Sequence, residues 1–351
     1  MRLSDELFMR RCFELARLGA GSTAPNPMVG AVICHQGRIL GEGYHQAYGQ
    51  AHAEVNAVRS VSPADRALLP ASTLYVSLEP CNIYGNTPPC TDLVLKEGFS
   101  RVVVSSTDLT PGVQGSGLER LRAAGVEVVT GVLAQEGQRL SAARNTFVAL
   151  QRPYVLLKYA QSADGFLAPL PKRQQWLSGP LAKRLVHKWR SEHPAIWVGA
   201  QTARTDNPRL NNRFYYGPSP VRVVYDRDLS LPQELNIFDG SSRTLLFTHA
   251  AENIEWRGRS TGVEVIRLEE GAGYAPQVLR RLAEAKISSV MVEGGAALLA
   301  ELLGLGLWDE ALALSSQENY LGQGLKAPEI GTAPAFEAQL GPDHIAQYFR
   351  P

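Results

Sequence analysis

Two apolar rhythms alternate along this chain, and that alternation constrains its fold more than any other feature. Runs of four to seven residues rich in valine, isoleucine and leucine read as strands at Met28–Cys34, Arg38–Gly43, Leu74–Leu78, Arg101–Ser105 and Val126–Val129. Between and around them, residues 5–19, Ala53–Ser60, Thr91–Glu97, Gly117–Ala124 and Ala134–Ala149 space their apolar side chains at a helical period, with Ser4 in the place of an N-cap. Strands separated by helices bury their apolar faces as α/β layers.

The pattern breaks at Gln151-Arg152-Pro153, where proline cannot continue a helix. A second series then predicts strands at Tyr154–Tyr159, Ala195–Val198, Val221–Tyr225, Thr244–Phe247, Val263–Arg267 and Ser289–Val292. Helices are expected at Pro180–Arg190, Ala275–Ala285 and Ala296–Leu303. The 351 residues therefore divide into two domains, 1–150 and 151–351. Residues 216–220 and 322–334 read as surface loops, and the tail from Ala333 as irregular.

Lysine and arginine total 35 against 34 aspartate and glutamate, a formal charge of +1. That excludes a nucleic-acid binder working by bulk charge. No apolar run is long enough to span a bilayer, and the first residues carry acids where a signal peptide would be apolar. The expectation is a cytoplasmic protein with no membrane or nucleic-acid partner, either alone or as a homo-oligomer. In that compartment Cys12, Cys34, Cys81 and Cys90 are thiols or metal ligands rather than disulfides.

Four residues carry a specific chemistry. His52-Ala53-Glu54 opens a predicted helix, Cys81 follows a predicted strand, and Cys90 comes after eight intervening residues. One imidazole and two thiolates leave a tetrahedral Zn²⁺ one open position for water, whose pKa zinc lowers toward neutrality. Glu54 lies close enough to His52 to move protons without being a ligand, which suits hydrolytic deamination. Cys12 and Cys34 lack such company and read as packing residues.

This constellation resembles the cytidine/deoxycytidylate deaminase superfamily. The long spacing between Cys81 and Cys90 is similar to that of the bifunctional deaminase/reductases of riboflavin biosynthesis, as are Pro25-Asn26-Pro27, Gly41-Glu42-Gly43-Tyr44-His45 and His52-Ala53-Glu54-Val55. The resemblance implies that Asn26 and His45 contact a pyrimidine ring. Three positions depart from that family: Ile83 where a histidine is usual, Asn86 where a phosphate-binding lysine or arginine is usual, and Leu109-Thr110-Pro111 after Asp108.

A dinucleotide fingerprint is absent from the chain. Gly115-Ser116-Gly117 is followed by Arg120 in the third glycine's place, and a turn before a helix explains it. Two strand ends, Val198-Gly199 and Glu293-Gly294-Gly295, could each cradle an anion or form an ordinary strand-to-helix turn. Residues 153 to about 300 are similar to the same family's reductase domain, which is related in fold to dihydrofolate reductase and uses NADPH. The resemblance places Lys158, Trp176, Asp206, Leu210 and Glu293 along the substrate, with Arg190 and Arg213 on its phosphate. It places Ser162, Trp176, Ser178, Gly199, Thr202, Asp206, Gly294 and Gly295 toward the nicotinamide cofactor. Asn319-Tyr320-Leu321-Gly322 departs from the usual strand end.

The expectation is thus a cytidine-deaminase-like domain followed by a dihydrofolate-reductase-like domain. With Zn²⁺ and NADPH, they would act in turn on a phosphorylated diamino-ribosylamino-pyrimidinone. Two rivals are a zinc deaminase of another nucleobase or nucleoside with a divergent reductase-like domain, and a zinc-stapled scaffold without catalysis.

Overall fold

The structure, a computed structural model, describes residues 3–85, 88–110, 112, 114–171, 173–251, 256 and 261–351. The chain forms two compact units, Met1–Gln151 and Arg152–Pro351.

In the first unit α1 (Leu3–Arg17) precedes the hairpin β1 (Gly30–His35) and β2 (Arg38–Tyr44). Then follow α2 (Ala53–Ser60), β3 (Thr73–Leu78), α3 (Cys90–Lys96), β4 (Arg101–Ser106), α4 (Ser116–Ala123) and β5 (Glu127–Thr130). The sheet order is β2-β1-β3-β4-β5, antiparallel at the hairpin and at β1–β3 and parallel from β3 to β5. One face packs α2, α3 and α4 over Ile33, Val76, Val102 and Val104; the other packs α1 over Val32, Tyr75 and Val103. Both faces are covered, which is why the central strands read as nearly continuous apolar runs. Cys12 and Cys34 sit buried in the α1 layer.

The close approach of α2 to β2 depends on Gly43. A Cβ there would lie 2.2 Å from the Ala57 nitrogen and 2.6 Å from the Ala53 carbonyl oxygen. The side-chain-free strand lets the first turn of α2 press onto the sheet, fixing His52 and Glu54.

The expected single helix over Ala134–Ala149 is two, α5 (Ala134–Leu140) and α6 (Ala142–Leu150). Ser141 breaks it with φ −94° and ψ 4°, off the helical well. Helix α1 starts at Leu3, so Ser4 lies within it rather than capping it.

In the second unit β6 (Tyr154–Gln161), β7 (Phe166–Pro169), α7 (Pro180–Glu192), β8 (Ala195–Gly199), α8 (Ala200–Asp206), β9 (Val221–Tyr225), β10 (Thr244–Thr248) and β11 (Val263–Arg267) come first. Next are α9 (Tyr274–Glu284), β12 (Ser289–Glu293), α10 (Ala296–Gly304), β13 (Glu310–Ser316), β14 (Gly324–Lys326), β15 (Phe336–Leu340) and β16 (Asp343–Phe349). The main sheet runs β11-β10-β9-β8-β12-β6-β13-β16-β15, parallel as far as β13 and antiparallel beyond it; β14 and β7 pair separately.

The tail read as irregular is therefore a hairpin, β15–β16, closed by Gly341 at φ +61° and seated on the edge of β13. Much of β15 is solvent-exposed. Its strand state comes from pairing with a neighbour, not from an apolar rhythm of its own. No helix among the described residues is long and apolar enough to cross a membrane.

Candidate functional sites, one in each unit

In the first unit, three connections converge on one point. His52 is the N-cap of α2, Cys81 lies just past the end of β3, and Cys90 begins α3. His52 Nδ1 is 3.3 Å from Cys90 Sγ and 3.5 Å from Cys81 Sγ, and the three ligand atoms all lie within 4.8 Å of one another. The backbone N–H of Cys90 donates to Cys81 Sγ at 3.3 Å. Hydrogen bonding from Cys90 and His52 draws the Cys81 thiol well down, and the bond to Cys81 raises His52. A soft thiolate pair with one imidazole is the donor set of a zinc centre that keeps an open position. The residues fit the ion.

Glu54 stands in the first turn of the same helix, 3% exposed, and its burial pushes the carboxyl upward. Asn26 and His45 sit beside it in a cavity of about 310 Å³. His45 Nδ1 lies 3.1 Å from the Ala51 carbonyl and Nε2 3.2 Å from Asn26 Nδ2, so the network assigns the proton to Nδ1 and leaves Nε2 to accept from Asn26. Burial keeps His45 toward its neutral form.

The cavity also contains groups that spacing did not single out: Glu79, Thr110 and Arg144. Glu79 is a structural acceptor, taking the backbone N–H groups of Gly115, Gly117 and Asp108. Ile83 and Asp108 line the cavity, whereas Asn86 lies outside the described residues.

In the second unit the two suspected cradles are neighbours. Strands β8 and β12 pair in parallel with Trp197 opposite Val292, so Gly199 and Gly294-Gly295 leave the sheet side by side. This is where the chain order of the sheet changes direction, and ligands bind such crevices at the carboxyl ends of strands. The crevice is a cavity of about 1090 Å³. Gly294 and Gly295 have φ of +78° and +90°, and a Cβ on Gly295 would stand 3.0 Å from Thr202 Oγ1. The open backbone before α10 fits the phosphates of a dinucleotide.

Lys158, Trp176, Ser178, Asp206, Leu210, Arg213, Gly199 and Thr202 all line this cavity with Arg190, Glu293, Gly294 and Gly295. Ser162 does not: it is buried, donates to Asp164 Oδ1 at 2.6 Å and accepts from the Phe166 N–H at 3.0 Å. Its hydroxyl shapes the 162–166 turn.

Register sets Lys158 directly beside Glu293 across β6–β12. Arg190 on α7 closes a bidentate pair on Glu293, at 2.6 and 2.7 Å, and donates to the Asn211 carbonyl. Burial alone would raise the Glu293 carboxyl, but Arg190 and Lys158 outweigh it and hold it down to about 2. The Arg190 fork is thus already filled. The Arg213 guanidinium, by contrast, donates to the neutral Asn211 side chain and lies over the Phe214 ring, with no carboxylate paired to it among the described residues, and burial with repulsion from Arg190 and Arg209 lowers its pKa. Of the two arginines expected on a phosphate, Arg213 has its charge unspent.

Sequence reasoning passed over His187, Arg209 and the stacked pair Tyr225–Tyr274, whose ring centroids are 4.1 Å apart at the cavity wall. His187 accepts the Arg213 N–H through Nδ1, and burial lowers it to about 4, leaving it a neutral donor beside the arginines. No spacing signal marked these residues, because each comes from a different element.

Comparison with known proteins covers both units. Residues 2–106 match the cytidine and deoxycytidylate deaminase zinc-binding region, and residues 153–316 match the RibD C-terminal domain. The riboflavin biosynthesis protein RibD of Bacillus amyloliquefaciens is 38% identical over 345 residues, 97% of this chain and 91% of that protein. The Escherichia coli K12 protein of that name is 34% identical over 88% of this chain and 87% of its own length. The chain belongs to the RibD family. The crystal structure of a diaminohydroxyphosphoribosylaminopyrimidine deaminase/5-amino-6-(5-phosphoribosylamino)uracil reductase from Thermotoga maritima superposes with a TM-score of 0.88 at 35% identity, covering 98% of both chains. RibD from Acinetobacter baumannii superposes with a TM-score of 0.85 at 30% identity, covering 99% of this chain and 98% of that one. Like other RibD proteins, this one is a bifunctional deaminase and reductase of riboflavin biosynthesis, with zinc and NADPH as cofactors. Its fold is accordingly cytidine-deaminase-like followed by dihydrofolate-reductase-like.

Proposed function

We propose that the first unit hydrolytically deaminates a diaminohydroxyphosphoribosylaminopyrimidine and that the second reduces the ribosyl group of the resulting 5-amino-6-(5-phosphoribosylamino)uracil to a ribityl chain, the reactions named for the Thermotoga maritima relative. The observation that carries this reading is the convergence of His52, Cys81 and Cys90, their ligand atoms within 4.8 Å of one another, with the buried Glu54 on the same helical turn as His52.

His52, Cys81 and Cys90 would hold zinc, which, when bound, supplies a water of lowered pKa. Asn26 and His45 orient the ring by hydrogen bonds, and the small cavity excludes bulk water. Glu54, whose carboxyl burial pushes upward, takes a proton from the attacking water and hands it to the departing amine, so that ammonia leaves rather than an amide anion. A zinc-stapled scaffold would have no use for that carboxyl.

In the second unit NADPH, when bound, would supply the hydride. Gly199, Thr202, Gly294 and Gly295 would cradle the cofactor's phosphates, and Arg213 would hold the substrate's. Burial lowers the pKa of Lys158, which makes it a suitable donor of the proton that completes reduction. The protein's contribution here is positioning. Four free thiols suit the reducing cytoplasm.

Incubating the full chain with the diaminopyrimidine phosphate, with and without NADPH, separates the steps. Ammonia is expected in both cases and NADPH oxidation only when both reactants are present; absence of both signals refutes the reading. Gly295→Ala is expected to raise the KM for NADPH about tenfold, because its Cβ meets Thr202 Oγ1 at 3.0 Å and φ +90° strains any residue with a side chain. An unchanged KM would remove Gly295 from the cofactor site.

A further inference from the structure

Among the described residues, Arg144 is the one lysine or arginine lining the first-unit cavity. Helix α6 carries it there, and its surroundings are unusual for a half-buried guanidinium. Nη2 donates to Thr110 Oγ1 at 3.0 Å, Nη1 reaches the Pro25 carbonyl at 3.4 Å, and Nε is buried without a partner. Neither acceptor is charged, and among the described residues only two of its five N–H donors find a partner.

Asp108 attracts it from nearby, but no ion pair closes; Asp108 Oδ1 instead accepts the N–H and hydroxyl of Thr110 at 2.8 and 2.6 Å. The other cavity carboxylate at this end, Glu79, is spent on backbone N–H groups. A partly desolvated guanidinium whose acceptors are neutral is costly to keep. It is held in place by Thr110 with its fork still open, the condition of a receptor for an incoming anion. The stretch between the two cysteines, residues 82–89, contains no lysine or arginine that could do this instead.

We propose that Arg144 recognises the phosphate monoester of the deaminase substrate and selects phosphorylated over unphosphorylated pyrimidine. This rests on the substrate reading above. The planar guanidinium offers two parallel N–H bonds to a dianionic phosphate, with Thr110, itself bonded to Asp108, steadying the arginine from one side. Glu54, His52 and Cys81 line the same cavity as Arg144, so one molecule in it can present its ring to the carboxyl and its phosphate to the arginine.

The test measures ammonia release by the full chain with NADPH withheld, so that turnover reports the first unit alone. The phosphorylated substrate and its dephosphorylated nucleoside are compared for the wild type, Arg144→Leu and Arg144→Lys. In Arg144→Leu, KM for the phosphorylated substrate is expected to rise about 10- to 100-fold with kcat changed by less than about threefold. The preference for phosphate should shrink by the same factor, and Arg144→Lys should recover part of it. Zinc content and melting temperature are read on each variant. An unaltered preference, an equal loss for both substrates, or a fall in kcat with loss of zinc would each overturn the assignment, the last two by showing a structural role. If the wild type itself releases no ammonia from the phosphorylated compound, the substrate reading falls and takes this assignment with it. If the wild type does so and Arg144→Leu keeps the preference, only this assignment falls.

Discussion

Replacing Glu54 with glutamine is expected to lower kcat for ammonia release about 10³- to 10⁴-fold, near the upper range for losing a general acid–base group. Glutamine is close to isosteric, so the packing around this 3%-exposed side chain is preserved. It cannot carry a proton from water to the departing amine. The expected signature is a protein that retains its zinc, retains NADPH oxidation when supplied with the deaminated intermediate, and releases almost no ammonia. Zinc is measured on the purified variant, since a variant that has lost the ion would be silent for another reason. Unchanged ammonia release with zinc in place would sink the catalytic assignment and leave His52, Cys81 and Cys90 as a structural staple.

The second large effect is expected from Glu293→Gln. In the wild type the Glu293 carboxylate satisfies the Arg190 fork and stands beside Lys158, with both partners of the ion pair only 11% exposed. Removing the negative charge leaves a buried guanidinium uncompensated, which costs about 3–5 kcal/mol. The second unit's thermal transition should fall accordingly, and NADPH oxidation should drop about 10²-fold or more as the cavity floor rearranges. The pH dependence has a definite sign. The folded carboxyl is depressed to about 2 from an ordinary value of 4.5, so its stabilisation is fully present above pH 4.5 and is lost as pH falls toward 2. Glu293→Gln should flatten that part of the stability profile. A variant with wild-type melting behaviour and reductase rate would show that Arg190 needs no counter-charge.

The legible part of this protein was carried by local signals. Ala53–Ser60, Val221–Tyr225 and Val263–Arg267 were readable to the residue because their apolar spacing and their turns agree with the layers that bury them. The zinc donors were readable because His52, Cys81 and Cys90 sit where a helix or strand starts or ends, positions that turn residues mark in the chain. The break at Ser141 and the β15–β16 hairpin were hidden, since each depends on what the segment packs against. Ser162 belongs to a motif, yet its hydroxyl has a nearer use in its own turn.

Composition, periodicity and the His-x-Glu and cysteine pattern by themselves determined a two-part α/β chain with a hydrolytic zinc centre in its first half. Those properties follow from covalent spacing and from which side chains must leave water. Tertiary structure alone decided how charge is distributed in the cavities. It commits Arg190 to Glu293, leaves Arg213 open, and brings Arg144 from α6 to a cavity whose other walls lie dozens of residues away. Electrostatic partnership depends on distance through space and on the water excluded between groups, and a linear pattern records neither. For that reason the +1 balance said nothing about where a phosphate would bind, while the fold places in each unit's cavity an arginine with no carboxylate partner among the described residues.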